Sequence, residues 1–223
     1  MRNADLRSQI LPLPLTIKIS NSRIRNPHSA IRNMKIGVLA IQGDFAAHAR
    51  ALARAGVDAV EVRDRGALER VDGLIIPGGE STTMLKFIKE ENLADSIKRF
   101  ARAGKPVFGT CAGAILLARE VHNPSQESLD LINISVERNA YGRQLDSFIG
   151  TVDSSLGDGP LEAVFIRAPK ILSAGESVEV LADLKGDPVL VREGNILAAT
   201  FHPELTEDER IHRLFVRMAG ESD

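Results

Sequence analysis

Short apolar runs alternate with helical patterns along the first half of the chain, and this alternation restricts the fold more than any other feature. The apolar runs cover residues 35–41, 57–62, 72–76 and 106–108. Between and after them, helical patterns cover residues 43–55, 82–90, 93–103 and 112–120. A regular strand–helix order is typical of parallel strands with helices on both faces. We therefore predict a three-layer, doubly wound α/β fold with a mostly parallel, flavodoxin-like sheet.

The second half has shorter, β-like segments separated by turn signals such as Gly157-Asp158-Gly159. These segments cover residues 132–136, 148–152, 163–166, 178–182, 188–192 and 196–200. A final amphipathic helix is predicted over residues 207–218. Because no linker divides the halves, we predict one domain over residues 34–220, in which these short strands flank or extend the same sheet. Residues 1–33 are predicted to be a disordered extension or to precede the true start at Met34.

Composition excludes several functional classes. The formal net charge of -2 over 223 residues gives no field that would attract nucleic acid or an anionic membrane. The single cysteine excludes an internal disulfide framework and fits a reducing compartment, so we expect a cytoplasmic protein. No apolar run approaches the roughly 20 residues of a membrane helix. We predict no metal and no cofactor, and interpret the histidines outside the motifs below as solvated or structural: His28, His48, His122 and His212.

The only cysteine, Cys111, stands between a predicted buried strand and a helical pattern. Gly109 and Gly113 flank it, as in a nucleophile elbow, where glycines tolerate strained backbone angles and let other segments approach closely. The helix N-terminus behind the cysteine favours the thiolate form. A free cysteine is also often buried for structural reasons. This stretch alone leaves both roles open.

A second candidate group, His202 and Glu204, follows the predicted strand over residues 196–200. The end of that strand would bring His202 beside Cys111. In an extended chain Glu204 would face the same side as His202 and could orient its imidazole. The three side chains would then be nucleophile, base and orienter. Without Cys111, the same tripeptide would equally fit a polar strand end.

The turn Pro77-Gly78-Gly79-Glu80-Ser81 follows another buried strand. Its glycines free the backbone to direct N–H groups at a developing oxyanion, and we predict the donors to be Gly79 and Ala112. The turn would also serve as a helix N-cap through Ser81 or Thr82. Two arginines, Arg138 and Arg167, are suited to holding a carboxylate, although a lone arginine is usually a solvated surface residue.

Taken together, residues 77–81, 109–113 and 202–204 resemble the class I, or triad, glutamine amidotransferases. Five further strings resemble the glutaminase subunit of pyridoxal 5'-phosphate synthase, the PdxT/SNO family: residues 39–43, 78–84, 136–144, 165–169 and 201–206. The resemblance extends from about Met34 to Ala219 with order and spacing maintained.

The resemblance implies an enzyme that hydrolyses L-glutamine to L-glutamate and ammonia through a thioester on Cys111, with His202 as proton shuttle and Glu204 as its orienter. It implies that glutamine is bound by Gly79, Glu80, Ser81, Arg138, Ile166 and Arg167. It also implies a separate barrel-shaped synthase subunit that builds pyridoxal 5'-phosphate, forms a dodecamer and activates the glutaminase on docking. Gln42 falls where the family contacts this partner near the oxyanion site.

Three alternatives remain to be weighed. A cysteine hydrolase or peptidase on the same fold is disfavoured by Arg138 and Arg167, which suit an amino-acid carboxylate. A glutaminase serving histidine or purine synthesis is disfavoured by the strings around those arginines, through resemblance only. A regulatory module with a decayed site is disfavoured because all three triad residue types are present.

Overall fold

The computed structural model describes residues 34–41, 45–138, 147–157 and 159–221. The predictions for residues 1–33, for Gln42 and for the part of the 136–144 motif after Arg138 lie outside the described residues.

Strands and helices follow one another in the predicted order through the first half of the chain. The strands are β1 (Lys35–Leu39), β2 (Asp58–Val62), β3 (Gly73–Ile76), β4 (Val107–Thr110), β5 (Ala118–His122), β6 (Ile132–Glu137), β7 (Ser147–Ser154), β8 (Leu161–Ile166), β9 (Lys170–Ala174), β10 (Glu179–Leu184), β11 (Asp187–Glu193) and β12 (Ile196–Ala199). The helices are α1 (Phe45–Arg54), α2 (Arg65–Glu69), α3 (Ser81–Glu90), α4 (Leu93–Arg102), α5 (Ala112–Leu117) and α6 (Arg210–Gly220), with a 3₁₀ turn at Pro203–Leu205.

The main sheet of the described residues has the strand order β2-β1-β3-β4-β12-β11-β10-β7-β8. Every neighbouring pair from β2 to β12 is parallel, and every pair from β12 to β8 is antiparallel. The predicted α/β fold with a parallel core is therefore confirmed. The short strands of the second half extend the same sheet, as expected, except for those that form a separate small sheet.

That small sheet has the order β5-β6-β9 and corrects the prediction of a helix over residues 112–120. The helix ends at Leu117, and residues 118–122 pair in parallel with β6. The carbonyls of Leu116 and Leu117 accept hydrogen bonds from Leu129 N–H and Leu131 N–H, so they do not continue the helix. Tertiary pairing therefore outweighs the helical pattern of this stretch.

Three further differences have local causes. The sequence pattern missed α2, a five-residue helix capped by the Asp64 carboxylate, which accepts from Ala67 N–H. It also missed β9, which completes the small sheet. The last helix begins at Arg210 rather than at residue 207, with Glu209 as its N-cap residue. The Asp208 carboxylate accepts from Arg210 N–H immediately before this helix.

Alternate residues of the central strands enter apolar layers on opposite faces of the sheet. On β3, Leu74 and Ile76 pack with α3, α4 and α5, whereas Ile75 packs with α1 and α6. This two-sided burial holds the central strands rigidly and leaves the loops at their carboxyl ends to form a cleft. No described helix is long and apolar enough to cross a membrane.

Candidate active site

The candidate site lies where β3, β4 and β12 end side by side. Residue Ala199 of β12 pairs with Thr110 of β4, and Cys111 N–H donates to the Ala199 carbonyl at 2.8 Å. The chain leaving β12 reaches His202, whose N–H donates to the Val164 carbonyl on β8 at 2.8 Å. Parallel neighbouring strands therefore bring Cys111 and His202 to one edge of the sheet, the placement expected from the sequence.

Backbone strain at the elbow lies on the cysteine itself. Cys111 has φ 49° and ψ -104°, a combination that L-residues rarely adopt. The flanking glycines contribute by allowing close approach: a Cβ at Gly113 would lie 2.0 Å from the Ile76 carbonyl oxygen, and one at Gly109 would lie 2.5 Å from the Gly113 carbonyl carbon. The expected close packing is therefore present, whereas the strained angles do not fall on these two glycines.

The base and its orienter form a buried pair. His202 Nδ1 lies 2.8 Å from Glu204 Oε1, and the two residues are 7% and 4% exposed. Contrary to the extended geometry expected from the sequence, Glu204 lies in the 3₁₀ turn that follows His202. The turn curls the carboxylate back onto the imidazole, so the pairing is as predicted but its cause is different.

Charge inside the site stabilises the imidazolium. Burial alone lowers the pKa of His202, but hydrogen bonds and charge from Cys111 and Glu204 outweigh it and raise the pKa from 6.5 to about 10. Burial acts to raise the pKa of Glu204, but the nearby imidazoles of His48 and His202 outweigh it and lower the pKa. The arrangement is suited to a thiolate–imidazolium–carboxylate triad at neutral pH.

A cavity of about 330 Å³ opens above Cys111. It is lined by Gly78, Gly79, Glu80, Ser81, Cys111, Ala112, Ile115, Arg138, Ile166, Arg167 and His202. The structure thus brings together every residue proposed from the sequence to bind glutamine or its oxyanion, with Cys111 and His202. Glu204 lies behind His202, away from the cavity wall.

The two turn glycines have different roles. A Cβ at Gly78 would lie 2.3 Å from His202 Cε1, so this glycine makes room for the base. Gly79 has φ 146°, which favours glycine. Ala112 is the first residue of α5, so its N–H has no acceptor within the helix, and the residue lines the same cavity.

The helix cap of α3 is Glu80, and not Ser81 or Thr82 as predicted. Its carboxylate accepts from Thr82 N–H at 3.1 Å and from Thr83 N–H at 2.6 Å. The hydrogen bond from the Thr83 hydroxyl is the main cause that lowers the pKa of Glu80 from 4.5 to about 2. Arg138 Nη2 lies 3.1 Å from Thr82 Oγ1 and 3.5 Å from Glu80 Oε1, so the cap also positions this arginine.

Sequence reasoning missed two supports of the site. Gln126 Oε1 accepts from the Ser81 hydroxyl at 3.0 Å, although its loop had no recognisable motif. Behind Glu204, His48 and His212 are completely buried and lie 3.2 Å apart between Nδ1 and Nε2. The sequence feature that could have revealed this histidine pair is a histidine on the apolar face of each of the amphipathic helices α1 and α6. Among the residues that the structure describes, no group of three or more His, Cys, Asp or Glu side chains is placed to hold a metal ion.

Comparison with known proteins identifies the family. The model of the SNO glutamine amidotransferase family matches residues 38–221. The chain belongs to the SNO glutamine amidotransferase family. The matched range contains Cys111, His202, Glu204 and the whole described lining of the cavity, so the family resemblance inferred from the motifs is confirmed.

Relatives of this SNO family chain are similar over nearly their whole length. The pyridoxal 5'-phosphate synthase subunit PdxT of Solibacter usitatus is 57% identical over 188 residues, which cover 82% of this chain and 97% of the relative. PdxT of Thermotoga maritima is 53% identical over 186 residues, covering 83% and 99%. A crystal structure of a glutamine amidotransferase superimposes with a TM-score of 0.79 at 50% identity, covering 83% of this chain and 98% of the other.

Proposed function

We propose that this protein is the glutaminase subunit of a pyridoxal 5'-phosphate synthase, which hydrolyses L-glutamine to L-glutamate and ammonia. The observation that carries the proposal is the single cavity wall shared by Cys111, His202 and two arginines, Arg138 and Arg167. In this proposal they supply a nucleophile, a proton donor and carboxylate-binding groups around one small amino acid. The likeness to PdxT subunits supports the specific pathway.

In the first half of the reaction, the Cys111 thiolate attacks the side-chain amide carbon of glutamine. The amide oxygen becomes an oxyanion, which we assign to the N–H groups of Gly79 and Ala112. The His202 imidazolium gives its proton to the amide nitrogen, the C–N bond breaks and ammonia leaves. Glu204 holds the imidazole through Nδ1, so that Nε2 is left for this transfer.

In the second half, water hydrolyses the γ-glutamyl thioester. The imidazole, now neutral, accepts a proton from water as the oxygen attacks the thioester carbon. The same two N–H groups again stabilise the oxyanion, and the C–S bond breaks to regenerate the Cys111 thiolate. Glutamate then leaves with its carboxylate released from Arg138 and Arg167.

We further propose that the ammonia passes to a barrel-shaped synthase subunit assembled as a dodecamer, in a cytoplasmic hetero-oligomer. A contact within the site supports partner-dependent activation. Cys111 Sγ lies 3.7 Å from the Ile166 carbonyl oxygen, which accepts from the thiol. A carbonyl oxygen beside the nucleophile would repel a nearby oxyanion. Docking would have to weaken this contact for full activity.

The first test is glutamate release from L-glutamine by the chain starting at Met34, with and without the matching synthase subunit. We expect release to rise at least about tenfold when the synthase is added, because docking completes the oxyanion site. Equal release in both conditions would keep the glutaminase assignment and contradict activation by the partner. No release in either condition would contradict the glutaminase assignment itself.

Replacing Arg138 with alanine should raise KM for glutamine about tenfold to a hundredfold, because a charge-assisted hydrogen bond to the substrate carboxylate is lost. The value of kcat should change much less, since Arg138 does not contact the reacting amide in this proposal. Steady-state kinetics in the synthase complex would measure both constants.

A matched control is Arg119→Ala, which removes an exposed arginine paired with Asp130 on the small sheet, away from the cavity. This variant should leave KM unchanged. An Arg138→Ala enzyme whose KM stays within twofold of the wild-type value would remove Arg138 from the glutamine site.

A further inference from the structure

The carboxylate of Glu204 has two buried oxygens, and only one of them is engaged by the catalytic imidazole. Oε1 faces His202 Nδ1 at 2.8 Å. Oε2 has no hydrogen bond that meets ordinary geometry within the described part of the chain. His48 Nε2 lies 3.5 Å from Oε2, and both side chains are fully buried. A buried carboxylate oxygen requires such a partner, because burying an uncompensated charge is costly.

Besides Glu204, His48 has two polar neighbours. Its Nε2 lies 3.3 Å from the hydroxyl oxygen of Thr110, the residue before the nucleophile. Its Nδ1 lies 3.2 Å from His212 Nε2 on α6. The His212 ring packs edge-on against Phe108 with ring centres 6.2 Å apart. Helices α1 and α6 therefore place one imidazole between the strand that carries Cys111 and the carboxylate that orients His202.

The protonation of this cluster is constrained. Burial and the neighbouring His48 lower the pKa of His212 from 6.5 to about 3, so His212 is neutral. If neutral His212 carries its proton on Nε2, it donates to His48 Nδ1, and the proton of a neutral His48 then resides on Nε2. If His48 is instead a cation, both of its nitrogens carry protons. In either case an N–H faces Glu204 and Thr110.

We propose that His48 is a positioning residue of the active site, which holds the second carboxylate oxygen of Glu204 while His212 fixes its tautomer. His48 does not line the cavity and makes no contact with substrate. It acts through Glu204, by keeping the carboxylate in the orientation that the His202 imidazolium requires. The inference rests on the proposed glutaminase function for its kinetic consequence, but the state of His202 can be measured without any turnover.

The test compares His48→Gln with His48→Asn in the full chain. A glutamine amide nitrogen reaches the position of imidazole Nε2, whereas an asparagine amide reaches only the level of Nδ1. We therefore expect His48→Gln to retain most of kcat and His48→Asn to lose about tenfold to a hundredfold, the scale found for other residues that orient a reactive group through an intermediary. KM for glutamine should be unchanged in both, because neither variant alters the cavity wall.

A second readout is the titration of the His202 ring, followed by NMR on protein with labelled histidine and assigned with His202→Asn. The midpoint should stay near that of the wild type in His48→Gln and fall by about one unit in His48→Asn, as the carboxylate moves away. The groups that face His202, Glu204 and this cluster, and that contribute to the titration in every variant, are Cys111, His212, Arg54, Glu80, Arg138 and Arg167.

Thermal unfolding of each variant separates positioning from folding. If His48→Asn does not fold, His212→Leu replaces it, since it removes the tautomer partner within an apolar environment and should lower kcat several-fold with KM unchanged. A folded His48→Asn or His212→Leu protein with wild-type kcat and a wild-type His202 midpoint would overturn the proposal. Absence of glutaminase activity in the wild type would instead overturn the proposed function, and the titration would still decide the role of His48.

Discussion

Replacing Cys111 with alanine is expected to abolish glutamine hydrolysis, with a loss of at least about 10⁴-fold in kcat. The thiolate forms the bond to the amide carbon, and no other cysteine exists in the chain to replace it. Alanine tolerates φ 49° about as well as cysteine does, so the elbow should remain folded. Glutamate release in the synthase complex measures the loss.

The single cysteine also provides the control for this variant. Iodoacetamide should label one thiol per wild-type chain and none in Cys111→Ala, and saturating glutamine should slow the labelling. Thermal unfolding and association with the synthase subunit should be unchanged, because Cys111 supports neither the sheet nor an exposed surface. Turnover within tenfold of the wild-type rate would reject Cys111 as the nucleophile.

Replacing His202 with asparagine should reduce kcat/KM far more than replacing Glu204 with glutamine. The loss in kcat/KM should be about a hundredfold larger for His202→Asn than for Glu204→Gln. Asparagine cannot donate and then accept the proton that the two half-reactions need. A glutamine at position 204 still offers an oxygen to His202 Nδ1 and retains part of the orientation. Parallel assays of both variants in the synthase complex give the ratio.

The pH dependence of kcat/KM gives a further prediction, in which the direction of the change is fixed. In the proposed mechanism the protonated form of His202 is the proton donor. Because the His202 pKa is raised from 6.5 to about 10, wild-type kcat/KM should fall as the pH rises through about 10. In Glu204→Gln the negative charge that supports the imidazolium is lost, so the falling limb should move to lower pH. A larger loss in Glu204→Gln than in His202→Asn, or an unmoved limb, would contradict the assigned roles.

Those parts of the fold that depend on local pattern were predictable from sequence. The alternating strands and helices of the first half and the elbow around Cys111 follow from periodicity and glycine placement. The proximity of His202 and Glu204 was also expected, but it arises from a 3₁₀ turn and not from the extended spacing. The strand Ala118–His122 did not follow, because it forms through pairing with β6 and not through any local preference. Short or context-dependent elements of this kind are determined by tertiary contacts.

The same limit applies to the site. Residues in motifs beside the nucleophile were identified, whereas Gln126 and His48 reach the site from a loop and from the buried face of a helix. Their contacts with the site are tertiary, and spacing in the sequence does not reveal them. Glu80 illustrates an intermediate case, since its position in the turn was recognised but its role as the helix cap was assigned to its neighbours.

The position of β12 between β4 and β11 has a consequence for synthesis on the ribosome. Cys111 follows β4 and emerges early, but the strand that delivers His202 is the last to be made and must enter the middle of the sheet. Until then the nucleophile has no proton partner and the edge of β4 is unpaired, a state prone to association with other chains. A nascent chain would therefore gain its reactivity only after β12 has been made, when this strand both closes the sheet and completes the proposed triad.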